Sequence, residues 1–284
     1  MGRPEERAEG AGPFTTRLTR RPAQGGTAIW ESRLARKRGA LRVRTHDGGE
    51  RRARRADDVA LRRLARLNLI AAGAFTVGGA LFAAGAALAQ LGSAGATTIA
   101  TVYFVGGLFF NTGGYTSLLQ AVNSPRRGTD AAGGWSGSLV TGRWRWWSYE
   151  PLRIDWLSTF ILFVGTLVFG INLLDSFLTG LTAQQVNRLI WTPDLIGCAL
   201  FLISGHLAIV EVCHGRPCWR SRSLAWWIVM VNQLGSVLFL VSALAAFTRP
   251  ETDSLVNVDI ANWGTFAGAL CFSVGGVLQF FERP

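Results

Sequence analysis

Lysine is nearly absent from this chain of 284 residues, in which Lys37 stands alone beside 28 arginines. Histidine (three residues), methionine (two) and cysteine (four) are also scarce. The long apolar runs of the sequence contain no arginine or lysine at all. A soluble helix of similar length would carry a charged face, so this absence excludes a soluble globular protein and indicates membrane spans.

Motifs of the common enzyme classes are missing as well. The sequence has no phosphate-binding glycine loop, no H-E-x-x-H helix and no G-x-S-x-G nucleophile turn. We therefore expect a non-enzymatic protein without a cofactor. An apolar signal segment would begin within about the first 30 residues, whereas the first apolar run starts near Leu67. We expect that run to be an uncleaved anchor.

Six apolar runs are present, each near the roughly 20 residues that are needed to cross the hydrocarbon of a bilayer. They predict an all-α, polytopic membrane protein with six transmembrane helices. The predicted spans are residues 68–91, 98–120, 156–179, 192–212, 224–248 and 261–281.

Basic residues lie almost entirely on one side of these spans. Residues 1–66 hold 18 of the 29, and only Arg188 and Arg249 fall on the opposite side. The positive-inside rule then predicts a multi-pass cell-membrane protein with both termini in the cytoplasm. The basic face is expected to contact anionic lipid headgroups. Because the net charge of +11 flanks the spans, we do not expect nucleic-acid binding.

Taken in pairs, the six runs form three helical hairpins that align with one another without gaps. A repeat of two spans keeps the same orientation in each copy, so the copies are expected to surround an axis along the membrane normal. Small residues at recurring positions allow helices to approach closely in lipid. The aligned sets are Gly78/Gly165/Gly235, Phe82/Phe169/Phe239, Gly106/Gly197/Gly268, Phe110/Phe201/Phe272, Gly113/Ser204/Gly275, Gly114/Gly205/Gly276 and Gln120/Glu211/Glu282.

The last hairpin carries the unit G-x-x-x-F, a short outer loop, and then G-x-x-x-F-x-x-G-G with a polar residue at the inner end. GSVLFLVSALAAF (residues 235–247) and NWGTFAGALCFSVGGVLQFFE (residues 262–282) show it most clearly. This stretch resembles the YrhK-like hairpin domain of bacterial membrane proteins. The resemblance implies a membrane location and a two-helix unit, and it assigns no catalytic residue.

These patterns divide the chain into six parts, each with a predicted character. They are a basic, largely disordered cytoplasmic tail with a juxtamembrane helix (1–66), hairpin 1 (67–121), a Trp- and Arg-rich interfacial loop (122–155), hairpin 2 (156–212), a cytoplasmic loop (213–223) and the YrhK-like hairpin 3 (224–284).

Polar residues at membrane depth are candidates for function because their burial is costly. Asp175 and Asp194 lie near the outer ends of neighbouring spans, which suggests an outward-facing cation or proton site. The other interpretation is that both are solvated, with Asp194 favoured at a helix start. Asn172 lies one turn before Asp175. His206 is either an interhelical hydrogen-bond partner or a ligand.

A second candidate is the segment E-V-C-H-G-R-P-C. Glu211, Cys213, His214 and Cys218 are residue types that zinc prefers, although their spacing matches no standard finger. The arginines around the thiols would lower the thiol pKa and raise reactivity. The plainer interpretation is a short inner loop. We expect no structural disulfide, because cytoplasmic thiols stay reduced.

Three functional hypotheses follow. The first is a non-enzymatic structural, interaction or stress-related role, with a second copy of the chain or another membrane protein as partner. The second is a transporter or channel for a small solute or ion, with a path along the pseudo-threefold axis through Asp175, Asp194, Asn172 and His206. The third is a metal- or redox-responsive sensor at residues 211–218, with the basic tail as its output.

Overall fold

The computed structural model of the chain describes residues 5–21, 26–44, 50–130 and 134–282. Predictions for the intervening parts of the tail and for Arg283 lie outside the described residues. Most of the described chain is helical, and an antiparallel sheet precedes the long helices.

Long helices occupy the six apolar runs, and their bounds fall within a few residues of the predictions except at the start of the first helix. That helix begins at Asp58, so the predicted juxtamembrane helix and the first apolar run are continuous. Asp57 caps its start by accepting a hydrogen bond from the Ala60 amide. In chain order the helices are α1 (Ser32–Arg38), α2 (Asp58–Leu91), α3 (Ala96–Val122), α4 (Ile154–Asp175), α5 (Ala183–Val186), a π-helical turn (Asn187–Trp191), α6 (Thr192–Cys213), α7 (Leu224–Ala245) and α8 (Val258–Gln279).

Five of the described helical segments are long and apolar enough to cross a membrane. They are α2, α4, the continuous segment from α5 through α6, α7 and α8. The helix α3 has 27 residues and no charged side chain, but it is richer in threonine and is not among the five.

The long helices form a closed ring. Each packs on the next in the order α2, α3, α4, α6, α7 and α8, and α8 packs back against α2. We call the end of the ring where α2 begins the sheet end, and the end where α2 finishes the far end.

Reciprocal contacts between glycine and phenylalanine join the two helices of each hairpin. In the first hairpin, a Cβ atom placed on Gly106 would lie 2.8 Å from the Phe82 ring, and one on Gly78 would lie 2.9 Å from the Phe110 ring. Any larger residue would push these helices apart. The corresponding pairs are Gly197 with Phe169 (3.1 Å), Gly165 with Phe201 (2.9 Å), Gly268 with Phe239 (2.6 Å) and Gly235 with Phe272 (3.1 Å).

Residues 5–55 form a five-stranded antiparallel meander in its described parts, so the predictions of disorder and of an all-α chain are wrong for this region. Its strands pair charges across the sheet, as Arg17 does opposite Glu31, and bury alternate residues such as Thr16 and Leu18. The strands are β1 (Glu5–Ala11), β2 (Phe14–Arg21), β3 (Thr27–Glu31), β4 (Ala40–Arg44) and β5 (Glu50–Arg55).

The Trp- and Arg-rich loop contributes a hairpin to the same end of the molecule. Its strands are β6 (Arg126–Thr129) and β7 (Trp135–Val140), and Trp135 is buried against Leu18 and Leu41 of the sheet. The following aromatic side chains, Trp146, Trp147 and Tyr149, remain exposed. A short hairpin at the far end pairs β8 (Thr248–Arg249) with β9 (Ser254–Leu255).

Candidate functional site

The sheet positions one short helix, α1, against the sheet end of the ring. It starts directly after β3 and ends at Gly39, which has a φ of 55° and donates its amide hydrogen to the Ala35 carbonyl. A Cβ atom on Gly39 would lie 2.8 Å from the Leu61 side chain of α2. Glycine therefore satisfies both the left-handed turn and the close approach to the bundle.

Three aligned polar residues at the sheet end of the ring are buried. Gln120, Glu211 and Glu282 are 0%, 1% and 3% exposed. The two carboxylates bind α1, and Gln120 instead donates to the Leu64 carbonyl oxygen of α2 at 3.2 Å. The two glutamates thus dock the N-terminal sheet and α1 on the ring.

Glu282 forms a two-pronged ion pair with Arg33. The Arg33 Nε and Nη2 atoms each donate to one carboxylate oxygen at 2.8 Å. Burial opposes ionisation of Glu282, but the attraction of Arg33 outweighs it and lowers the pKa of this carboxyl. The same pairing raises the pKa of Arg33 against the effect of burial.

Glu211 holds α1 at a second point. It accepts hydrogen bonds from the Ser32 hydroxyl at 2.6 Å and from Arg36 Nη2 at 3.1 Å. Arg36 is 5% exposed, and its buried Nε has no hydrogen-bond partner among the described residues. This guanidinium is therefore only partly satisfied.

Lys37 is the least compensated charge of the cluster. Its Nζ donates to the neutral Asn68 side chain at 3.1 Å, and in the described part of the chain it forms no ion pair. Asn68 is fixed in turn by the main chain and side chain of Gln279. Burial, reinforced by the neighbouring Arg36, lowers the pKa of Lys37 well below its usual value.

A cavity of about 100 Å³ lies inside the ring next to these cations and is lined by Arg33, Arg36 and Lys37. All six helices of the ring contribute to its wall, through Phe75, Ser117, Leu162, Ala208, Asn232 and Gln279 among others. Since every helix of the ring reaches it, the cavity lies on the axis of the ring.

Aromatic side chains fill the axis on the far side of this cavity. The rings of Phe82, Phe169 and Phe239 form a triangle with centroid separations of 5.5, 6.4 and 6.3 Å. Phe272 lies 5.6 Å from Phe110 and 6.1 Å from Phe201. All of these side chains are buried, so the axis is closed by an apolar layer.

The four polar candidates at membrane depth do not converge on the axis. The His206 side chain is exposed on the outer surface of α6 and donates no interhelical hydrogen bond within the described structure. Asp194 accepts from the Cys198 thiol at 3.7 Å, and between the described side chains of Asp175 and Asp194 there is no hydrogen bond. Asn172 is buried and accepts from the Ser176 hydroxyl.

The four residues considered for a metal site also do not come together in one site, because they bind different partners. Cys213 and Cys218 form a disulfide, so the prediction of free thiols at these positions is wrong. Their Cα atoms lie 5.5 Å apart because the turn after α6 folds back, a separation suited to a disulfide. Glu211 binds α1, and His214 docks on the sheet through the Thr16 hydroxyl at 3.0 Å. Burial lowers the pKa of His214.

The sequence did not reveal the side chains that the structure brings together at the sheet end of the ring, namely Ser32, Arg33, Arg36, Lys37 and Asn68. Two signals pointed toward them. Lys37 is the only lysine of the chain, and two of the three aligned residues Gln120, Glu211 and Glu282 carry a carboxylate that needs a cation.

Comparison of the chain with known protein families, with characterised proteins and with solved structures finds no match. The function of the site therefore has to follow from its own geometry.

Proposed function

We propose that the chain is a six-span, non-enzymatic membrane protein that forms a gated axial passage for a small solute or ion. The observation that carries this proposal is the position of α1, which brings three basic side chains to the mouth of an axial cavity. A purely structural role explains the Gly–Phe packing. It does not explain cations buried on the axis, because desolvating them costs stability without improving the packing.

The six-span arrangement is part of the proposal, with α3 as the sixth span. It packs between α2 and α4 and carries no charge, so it completes the wall of the passage. A threefold repeat is supported by contacts between hairpins as well as within them. Gly114, Gly205 and Gly276 each face the first helix of the next hairpin, through Thr166, Gln233 and Thr76 respectively.

We retain the YrhK-like resemblance as a description of the hairpin unit and the charge bias as the guide to orientation. The basic sheet end would face the cytoplasm, where exposed aromatic residues such as Trp146, Trp147 and Trp219 suit the headgroup region. The Cys213–Cys218 disulfide favours the opposite orientation, with the sheet end outside the cytoplasm, because cytoplasmic thiols are kept reduced. Thiol alkylation in intact cells distinguishes the two orientations: protected Cys213 and Cys218 would place the sheet end outside, and reactive thiols would place it in the cytoplasm.

The passage has two closures in this arrangement. The aromatic layer around Phe82, Phe169 and Phe239 closes the axis by excluding water, as hydrophobic constrictions do in channels. The helix α1 closes the sheet end, held by Glu211 and Glu282. Movement of the N-terminal domain would therefore open one end without disturbing the bundle.

Flux through reconstituted liposomes tests the proposal. We expect Phe239→Ala to increase the flux of small ions or solutes, measured by stopped-flow light scattering. Phe247→Ala is the matched control, since Phe247 makes an edge-to-face contact with Trp191 at the far end. If liposomes with folded wild-type or Phe239→Ala protein match protein-free liposomes for every solute, the passage is refuted and the structural role is favoured.

A further inference from the structure

The charges at the sheet end do not balance. The helix α1 brings three basic side chains, Arg33, Arg36 and Lys37, to the ring, and two carboxylates, Glu211 and Glu282, receive them. The third equivalent position of the repeat is Gln120, which is neutral. With Lys37 protonated, one positive charge within the described residues of this cluster is therefore left without a counter-charge.

That excess charge faces the axial cavity. Lys37 has only a neutral hydrogen-bond partner, and Arg36 has a buried Nε–H without an acceptor. Both side chains line the cavity, at 4% and 5% exposure. Buried charges in proteins are normally paired, so an ammonium with only a neutral partner and a guanidinium with an unpaired N–H on the wall of one cavity indicate that the missing partner is a ligand.

The cavity limits the size and charge of that ligand. A volume of about 100 Å³ accommodates a small anion with little water, and excludes sugars and nucleotides. One excess positive charge matches one negative charge. The hydroxyls of Ser158 and Ser204 already donate to each other's helix carbonyls, and Arg33 is paired with Glu282. Arg36 and Lys37 are therefore the incompletely paired cations on the cavity wall.

We propose that the axial cavity is a binding site for a small monovalent anion, such as chloride, nitrate or formate, held by Lys37 and Arg36. The assignment rests on the cavity of the proposed passage and names its substrate class, but binding and passage are measured separately.

A larger basic cavity lies beside this site at the sheet end. It has a volume of about 710 Å³, and Arg33 and Lys37 line both cavities. Its wall adds Arg38, Arg42, Arg220 and Arg222, against the carboxylates Glu31, Glu211 and Glu282. Basic clefts of this kind raise the local concentration of anions and speed their association. The helix α1 thus separates a collecting vestibule from the axial site.

Anion titration of the purified full-length protein in detergent tests the proposal. Sodium gluconate, an anion too large for the cavity, holds the ionic strength constant while chloride or nitrate replaces it. We expect both small anions to raise the melting temperature saturably. Lys37→Met should weaken the apparent affinity by about tenfold or more, the factor for one charge-assisted contact. Arg38→Met is the matched control, since Arg38 lines only the vestibule.

A second variant keeps the test decisive if Lys37→Met does not fold. Gln120→Glu supplies the missing carboxylate at the third repeat position and leaves every basic side chain in place. Gln120 contacts Leu64, one turn of α2 from the Asn68 partner of Lys37. We expect this variant to lose the anion response as well. An unchanged response in both variants, or no saturable response in the wild type, overturns the assignment.

Flux measurements separate this inference from the proposed function. Saturable anion binding without flux leaves the site standing and refutes the passage. Flux of cations or neutral solutes without anion binding leaves the passage standing and refutes the anion site. Anion flux that falls in Lys37→Met and Gln120→Glu, but not in Arg38→Met, supports both the passage and the anion site.

Discussion

The two halves of the ring axis are built from the same helices but have opposite character. The far half is closed by buried phenylalanines, each packed on a glycine of the neighbouring helix and on the rings of other helix pairs. The sheet half holds buried carboxylates and cations whose partners come from a different domain. The barrier is thus built from the ring helices alone, whereas the charged site exists only when α1 is docked.

The largest effect is expected from breaking a charge pair in the sheet half. Glu211→Ala leaves Arg36 buried without its carboxylate, which costs about 3–5 kcal/mol of stability. Denaturation of the detergent-solubilised protein by SDS measures this loss. Replacing both partners, as Glu211→Met with Arg36→Met, should recover most of the stability.

Glu251→Ala is the control for that prediction, because Glu251 is exposed at the far end. A loss of similar size in the control would show that the ion pair is not the cause. A mild effect of Glu211→Ala would mean that α1 is not held at the ring in solution.

The next largest effect concerns the seam between α2 and α8, where the ring closes. A Cβ atom on Gly79 would lie 2.7 Å from the Ala269 carbonyl oxygen and from the Ser273 nitrogen. Because both are backbone atoms, the clash can be relieved only by moving one helix relative to the other. We expect Gly79→Ala to destabilise the protein by about 1–3 kcal/mol, the usual cost of overpacking.

Gly73 provides the matched comparison on the same helix. A Cβ atom there would meet only the Phe280 ring, at 3.8 Å, which is an ordinary contact. Gly73→Ala should therefore be neutral or stabilise α2 by up to about 1 kcal/mol, because alanine favours helix. Equal melting temperatures for the two variants would contradict the closed seam.

A pH-dependent effect distinguishes Lys37 from the other charges of the sheet half. Its pKa in the folded protein lies well below 10.5, chiefly because of burial. Between that lowered pKa and about 10.5 the unfolded chain binds the proton and the folded protein does not. The unfolding free energy of the anion-free protein should therefore rise with pH over this interval, by about 1.4 kcal/mol for each pH unit.

The groups around Lys37 do not obscure this measurement. Arg36, Arg33, Glu211 and Glu282 surround it, with the pKa of Arg33 raised and that of Glu282 lowered. Unfolding measured at several pH values, with Lys37→Met as comparison, isolates the lysine. A slope that persists in Lys37→Met would assign the effect to another group.

The smallest effects are expected at the polar residues that do not reach the axis. Asp175→Asn and His206→Ala should change stability by no more than about 0.5 kcal/mol, as surface substitutions do. Neither should alter flux in liposomes, because His206 is exposed on the outside of α6. A large loss of flux in either variant would show that the path does not follow the ring axis next to Lys37.

Some of the candidate site was readable in the sequence. The alignment of Gln120, Glu211 and Glu282 marks the correct level of the bundle, and all three side chains are buried there. The N-terminal sheet was not predicted because the arginine-rich composition of its strands is also typical of a disordered, solvated tail. Alternation in ALRVR and TAIWE, residues 40–44 and 27–31, was the signal available.

The sequence by itself determined where the long helices lie, because an uncharged apolar run of about 20 residues has few other structures available to it. It also determined the glycine and phenylalanine positions at which the helices pack. Only the tertiary structure decided that the ring closes through α2 and α8 and that α1 docks at its mouth. Arg36 and Glu211 are 175 residues apart, and Arg33 and Glu282 are 249 apart. Pairing over such separations depends on which surfaces meet in the folded chain, and no local pattern encodes it.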